Sequence, residues 1–250
     1  MKAMGLPSIR LDKFISENSE LSRSLAGTAI RQGRVKVNGK TIKSTSLKVN
    51  ATDDEVILNL QVLNNVGPRY FMLHKPAGFI CANKDNDHAV VFELMETEIN
   101  IHKLHTVGRL DVDTTGLVLI TDDGNWSHNI SSPKHHQDKQ YRVWLAEPLN
   151  ENAEQQLESG IHLKSEDKPC QPAKLERINS QEVLLTISEG KYHQVKRMFA
   201  ALDNNVVKLH RESIGSVALD SQLDEGQYRP LTSAEILQLS ISPPSHKDKK

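Results

Sequence analysis

Apolar positions change period along the chain. In RLDKFISE, Leu11, Phe14 and Ile15 recur at i, i+3 and i+4, one helix face with Arg10 and Lys13 off it. SRSLAGTAIRQG repeats the rhythm: Ser22 suits an N-cap, Leu25, Ala26, Ala29 and Ile30 form the stripe, and Gly33 suits the stop. The period then drops to two. Val35 and Val37 alternate with Arg34 and Lys36 ahead of Asn38-Gly39, a strong hairpin signal. EVILNLQVL (55–63) predicts a strand closing a small domain over 8–64, and residues 65–68 have linker composition.

From Arg69 the pattern is one of strands between turns. RYFMLH, LVLIT (117–121), QYRVWL (140–145), EVLLTIS (182–188), NVVKLH and GSVAL predict strands. NENAEQQLESG (150–160) and KYHQVKRMFAALD (191–203) predict helices, the second with Val195, Met198, Phe199 and Leu202 on one face. Many strands with few helices between them predict an α+β fold: a small α/β domain, then a mixed, largely antiparallel sheet domain over 69–240. The Pro-rich, charged tail from 241 to 250 is expected to be disordered.

Composition narrows the class. A hydrophobic share of 37 % over 250 residues is that of a soluble globular protein. MKAMGLPSIRL has no signal-peptide pattern, and no apolar run approaches the roughly 18 residues of a membrane span, so a cytoplasmic, membrane-free protein is expected. Cys81 and Cys170 are isolated, which excludes a cysteine-built zinc site and fits a reducing compartment. Charge is asymmetric. Residues 1–50 hold ten Lys/Arg against three Asp/Glu, whereas the remainder holds 21 against 29. A basic head on an acidic body points to a polyanion as the head's partner. Phe14 is the head's sole aromatic and sits on the buried stripe, so shape and phosphate rather than base stacking would carry that binding.

Chemistry concentrates in GRLDVDTTGLVLITDDG (108–124), where four carboxylates bracket an apolar strand. Asp122 and Asp123 in T-D-D-G suit turn chemistry, and Asp113 before Thr-Thr-Gly suits a loop cap. Asp111 differs. It follows Gly-Arg-Leu in a loop feeding a core strand, beside Arg109. A rigidly held, poorly solvated, ionised carboxylate is what covalent attack requires, although Asp–Arg pairs are more often structural.

RLDKFI with SRSLAGTAIRQGRVKVNGK resembles the S4 RNA-binding domain, and GRLDVDTTGL resembles the signature of the pseudouridine synthases. HKPAG (74–78), KQYRV (139–143) and EGKYHQVKRMFA (189–200) resemble that family's other motifs in order and spacing. The set is closest to the S4-bearing branch that acts on small-subunit ribosomal RNA. The resemblance implies isomerisation of a uridine without ATP, metal or other cofactor. Asp111 would be the nucleophile, at C1′ or C6, Tyr141 would stack on the extruded uracil, and Lys196 would pair with Asp111. Arg109, Leu110 and Val195 would support the site. Arg10, Lys13, Arg23, Arg31, Arg34 and Lys36 of the head would hold RNA, with Lys139, Lys191 and Arg197 of the body. The implied partner is 16S ribosomal RNA, free or in a partly assembled small subunit, and a monomer is expected. Because the body is net acidic, a local basic cleft from Arg109, Lys139, Lys191, Lys196, Arg197, Lys208 and Arg211 is expected, with acids on the far side.

Three other readings fit parts of the sequence. Asp111-Val112-Asp113-Thr114 fits D-x-D-x-T, the pattern of the haloacid-dehalogenase class of Mg²⁺-dependent phosphohydrolases, but that class wants an apolar strand before the first Asp, and HTVGR stands there. His102 and His105, or His128, His135 and His136, could hold a metal, yet they lack cysteine partners and an HExxH pattern and read as surface or RNA-contacting. A non-catalytic RNA-binding assembly factor would need to have lost catalytic side chains that are all present here.

Overall fold

The computed structural model describes residues 8–51, 53–65, 67–132 and 137–241. The chain divides into two compact units: residues up to Pro68 with Thr97–Lys103, and Arg69–Glu96 with Leu104 onward. The division read from composition gives no hint of the Thr97–Lys103 excursion. It is tied in by Asn100, whose backbone N–H donates to Glu20 Oε1 at 3.1 Å, and by the Lys103 ammonium on the Ser16 carbonyl.

In the first unit β1 (Ile9–Arg10) leads into α1 (Leu11–Glu17) and α2 (Arg23–Arg31), followed by β2 (Val35–Val37), β3 (Lys40–Thr41), β4 (Lys48–Val49), β5 (Val56–Leu58) and β6 (Gln61–Leu63). The apolar stripes meet as predicted: Leu11, Phe14, Ile15, Ala26, Ala29 and Ile30 share one core with Val35, Val37, Val49, Val56 and Leu58. Leu25 is the exception. It lies in the first turn of α2 and stays exposed, because the helix face closes with Ala26, Ala29 and Ile30 alone. Ser22 caps α2 by accepting from the Leu25 N–H, and Asn38-Gly39 turns the hairpin with φ of 49° and 77°.

EVILNLQVL is not one strand. It folds back as β5 and β6, pairing Val56 with Leu63, around Asn59 and Leu60 at φ 50° and 70°. Leucine occupies a left-handed turn position that normally goes to glycine, and it is 89 % exposed. An unbroken apolar rhythm therefore hides a turn.

The second unit is built on β7 (Tyr70–Lys75), β8 (His105–Val107), β9 (Thr115–Thr121), β10 (Lys139–Leu145), β11 (Lys174–Arg177), β12 (Glu182–Ile187), β13 (Val206–Ile214), β14 (Val217–Ala218) and β15 (Tyr228–Pro230). They form a mixed sheet in the order β11-β12-β10-β13-β9-β7-β15, with β14 beside β13 and β8 beside β9. Its pairs are antiparallel apart from β13 and β9, which run parallel at His210↔Thr115 and Arg211↔Gly116. Helices α3 (Gly124–Ser131) and α6 (Ser233–Ser240) were not legible as stripes, since each buries few apolar side chains. Trp126, Ile130 and Leu239 from them share a core with Met72, Leu117, Leu119 and Ile214 of the sheet. α4 spans Ala153–Glu158. The helix predicted over 191–203 is shorter: α5 runs Gln194–Ala200, because His193 adopts a left-handed conformation (φ 47°, ψ 35°) and starts it abruptly. His135, His136 and the tail from 242 lie outside the described residues.

Candidate active site

Two adjoining strand pairs set the floor of the site. On β10 and β13, Tyr141 lies directly opposite Arg211; on β13 and β9, Arg211 lies opposite Gly116. Gly116 allows the close approach. A Cβ there would stand 2.6 Å from the Arg211 backbone nitrogen and closer still to its carbonyl oxygen, and φ is +108°. The residues just before β9 form the loop that carries Asp111. Lys75, fully buried at the end of β7, donates to the carbonyls of Thr114 (2.7 Å), Pro76 (3.0 Å) and Val112 (3.3 Å). Its ammonium pins the loop from beneath, and burial holds its pKa below the ordinary lysine value.

A cleft of about 350 Å³ opens above this floor. Asp111 lines it, with Arg109, Leu110, Tyr141, Val195 and Lys196, so the expected nucleophile, tyrosine, lysine and supporting residues come together. Tyr141 is 7 % exposed, with its hydroxyl 3.4 Å from Arg211 Nη1. Asp111 Oδ2 is 3.5 Å from Lys196 Nζ and its Oδ1 is 3.5 Å from His193 Nε2. Lys196 makes its shorter contact with Asp113, at 2.6 Å. Partial burial works against the Asp113 carboxylate, but the Lys196 ammonium wins and holds its pKa below the usual range. Lys196 is thus a bridge between two carboxylates, and Asp113 is more than a loop cap. Asp122 and Asp123 are structural, as their turn chemistry implied: Asp122 holds Arg69 through its backbone N–H and Nε, and Asp123 caps α3 and accepts from the Tyr70 hydroxyl.

The basic cleft is real but smaller than expected. Arg109, Lys139, Lys191, Lys196 and Arg211 line it. Lys208 does not; it sits over the Trp144 ring, 4.9 Å from the centroid, on the opposite side of its strand from the cleft-lining Leu209. Arg197 is also outside, bound to Glu166 at 2.9 Å and to the Lys164 and Tyr192 carbonyls. Lys191 lies 3.5 Å from the same Glu166. In the first unit Arg10, Lys13, Arg23, Arg31, Arg34 and Lys36 are all exposed.

Sequence reasoning missed His193 and placed Arg211 in the cleft without foreseeing its burial. His193 reaches Asp111 only because of its left-handed backbone, which no periodicity shows, and its ring stacks on that of Tyr192 (centroids 3.8 Å apart), itself 73 % exposed. Arg211, expected among the cations of the cleft, does line it, but at 2 % exposure it is buried in the floor. Its one legible signal is an arginine in alternation with the buried Leu209 of a core strand. Among the described residues no three His, Cys, Asp or Glu side chains gather as metal ligands, and no helix is long and apolar enough to cross a membrane.

Comparison with known proteins decides the family. Residues 69–201 match the family described as RNA pseudouridylate synthase, and residues 9–56 match the S4 domain. This chain belongs to the pseudouridine synthase family. It is 53 % identical to the ribosomal small subunit pseudouridine synthase A of Haemophilus influenzae, over 92 % of this chain and 99 % of that protein. It is 48 % identical to the protein of that name from Escherichia coli K12, over 91 % and 98 %. A crystal structure of a pseudouridylate synthase, 53 % identical, superposes with a TM-score of 0.67 over 93 % of this chain and all of that one. Pseudouridine synthases are isomerases, and the cleft lies wholly within the part of the chain that matches the synthase family or directly follows it on β13.

Proposed function

We propose that this protein isomerises a uridine of 16S ribosomal RNA to pseudouridine during small-subunit assembly, with Asp111 as nucleophile. The observation that carries the assignment is Asp111 itself: one partly buried carboxylate on a pinned loop, set between His193 and Lys196 in the cleft that holds Tyr141. The small-subunit substrate rests on the similarity to the two bacterial proteins of that name. In this reading the domain over 8–64 grips RNA through its exposed cations, residues 65–68 link, and the domain over 69–240 does the chemistry in the cytoplasm.

The target nucleotide must leave its stack for a side chain to reach it. Arg109, exposed at the cleft mouth, closes over the extruded nucleotide, and the Tyr141 ring stacks on the uracil. Lys196 and His193 hold Asp111 in position for attack at C1′ or C6. The glycosidic bond breaks, the uracil turns, a C5–C1′ bond forms, the bond to Asp111 breaks to return the carboxylate, and the C5 proton leaves through Tyr141 or a water it positions while N1 gains one. Leu110 and Val195, both buried, wall the site against bulk water.

Tritium release from small-subunit RNA carrying 5-³H-uridine tests the assignment, with and without early-binding ribosomal proteins and with EDTA throughout. Release by the wild type and none by Asp111→Asn is expected. Equal release by both proteins would remove Asp111 from the mechanism; no release from any RNA state would leave an RNA-binding assembly factor.

A further inference from the structure

Two cations at the cleft floor have no carboxylate within ion-pair distance among the described residues: Arg211 and Lys139. Arg211 is almost wholly buried. Its Nε donates to the Leu117 carbonyl at 2.7 Å and its Nη1 reaches the Tyr141 hydroxyl, while the buried Nη2 has no hydrogen-bond partner among the described residues. Lys139 lies two residues before Tyr141 on β10 and lines the same cleft, its ammonium on the Gln137 carbonyl at 2.7 Å. Burial, and then the charge of Arg211, push its pKa down to about 8; Asp138 and Glu189 oppose that shift without cancelling it. Buried cations that repel each other cost free energy, and so does an unspent buried donor. The rest of the site tolerates both, and Gly116 lets the backbone at Arg211 lie close against β9.

Such a pair is complementary to a negative charge, and the isomerisation creates one beside Tyr141. When C1′–N1 breaks, the bonding electrons leave on the base, whether Asp111 has added at C1′ or at C6. The uracil then carries a negative charge spread over N1 and its carbonyl oxygens. C5 then joins C1′. In the C1′ route the Asp111–C1′ bond breaks as the new bond forms, and the carboxylate takes back its electron pair. In the C6 route the Asp111–C6 bond breaks as C5 loses its proton. In either route C5 ends without its proton and N1 with one. We propose that Arg211 and Lys139, on the floor of the cleft, bind the departing uracil as an anion. This rests on the reading of the site as a uridine isomerase. The pair acts as fixed donors aimed at charge that exists only during reaction, where such groups contribute most. Arg211 and Lys139 are therefore catalytic residues, distinct in role from Asp111, which forms the covalent bond, and from Tyr141, which holds the ring face.

The test compares two substrates. In RNA with 5-fluorouridine at the target position, fluorine stabilises the uracil anion and makes the base a better leaving group, and it blocks loss of the C5 proton. Bond cleavage and C5–C1′ formation are followed in single turnovers by nucleoside chromatography after digestion. Arg211→Gln and Lys139→Gln are expected to slow the uridine substrate by about 100-fold and 10-fold. On 5-fluorouridine the same variants should lose at least several-fold less, since the base itself carries the charge. Circular dichroism checks folding of Arg211→Gln; if that protein does not fold, the less buried Lys139→Gln decides alone. Equal losses on both substrates would overturn the proposal and leave a structural role, as would wild-type rates in either folded variant. Inactivity of the wild type on both RNAs would instead remove the isomerase reading, and the proposal with it.

Discussion

Lys139 sets stability against catalysis at a single side chain. Its ammonium is partly buried near Arg211, so its pKa falls to about 8 from 10.5, against the weaker pull of Asp138 and Glu189. Between those two pH values the unfolded chain binds more protons than the folded one, so this group's contribution makes stability rise with pH across that window. Below about 8 its full destabilising cost is present. Lys139→Met should therefore raise Tm at pH 7, by about 2–4 °C for each kcal/mol relieved, with the gain gone above the ordinary lysine pKa, while slowing turnover. Thermal melts at pH 7 and pH 11 check the sign; a lower Tm at pH 7 would mean that Lys139 is a structural contact. Gly116 has the opposite character. A Cβ would meet the Arg211 backbone at a positive φ, where backbone rather than a flexible side chain would have to move. Gly116→Ala should cost more than about 3 kcal/mol in urea unfolding and abolish turnover even in the folded fraction. These residues show where sequence reading stops. GRLD and KQYRV expose Asp111 and Tyr141 because their types and order are informative. Arg211 was legible as a cleft cation but its burial follows from a parallel strand pair, and His193 becomes a site residue only through a left-handed backbone that leaves no periodic trace.

Elements were legible where one apolar face is wide. QYRVWL and EVLLTIS form strands with their alternate residues buried, LVLIT forms one buried throughout, and both head helices bury the stripes that identify them apart from Leu25. The failures share a cause. α3 and α6 bury few side chains each, so spacing has too little to work with, and the β5–β6 turn carries a leucine where the hairpin rule looks for glycine. In α3 the signal was the capping residue. Asp123 accepts from the backbone N–H groups of Asn125 (3.0 Å) and Trp126 (3.1 Å) and from the Tyr70 hydroxyl at 2.9 Å. Burial and that carboxylate together push the Tyr70 phenol up to about 12. Asp123→Ala should thus cost about 1–2 kcal/mol in urea unfolding, from the lost cap and the orphaned phenol. Uridine isomerisation by the folded protein should stay within about two-fold of wild type, since Asp123 touches nothing in the cleft. Loss of turnover matching that of Asp111→Asn would mean that the two aspartates at the strand's far ends are not separable in role.

Across the whole molecule, charge and chemistry are divided between parts of the chain. The exposed cations of the head far outnumber its acids, and the cleft with its inward-facing Arg211 and Lys139 belongs to the other unit. Side chains that neutralise phosphates release counterions, and each contributes about 0.7 to the slope of log K against log salt on single-stranded RNA. Cleft residues act on one nucleotide and contribute little to that slope. Replacing Lys13, Arg31 and Lys36 together by alanine should therefore lower the slope by about 2 and weaken binding most at low salt. Among the described residues Lys13 is the only one of the three with an ion pair, a 3.6 Å contact to Glu17 in which both side chains are about half exposed. All three are exposed, so unfolding should change little. Single-turnover isomerisation at saturating protein should be preserved, because Asp111, Tyr141 and Lys196 are untouched. Arg211→Gln should give the reverse, an unchanged salt slope with slow chemistry. A head variant with the wild-type slope would place the polyanion contact elsewhere, and one that slows the saturated rate as well would show that the head also helps present the uridine to Asp111.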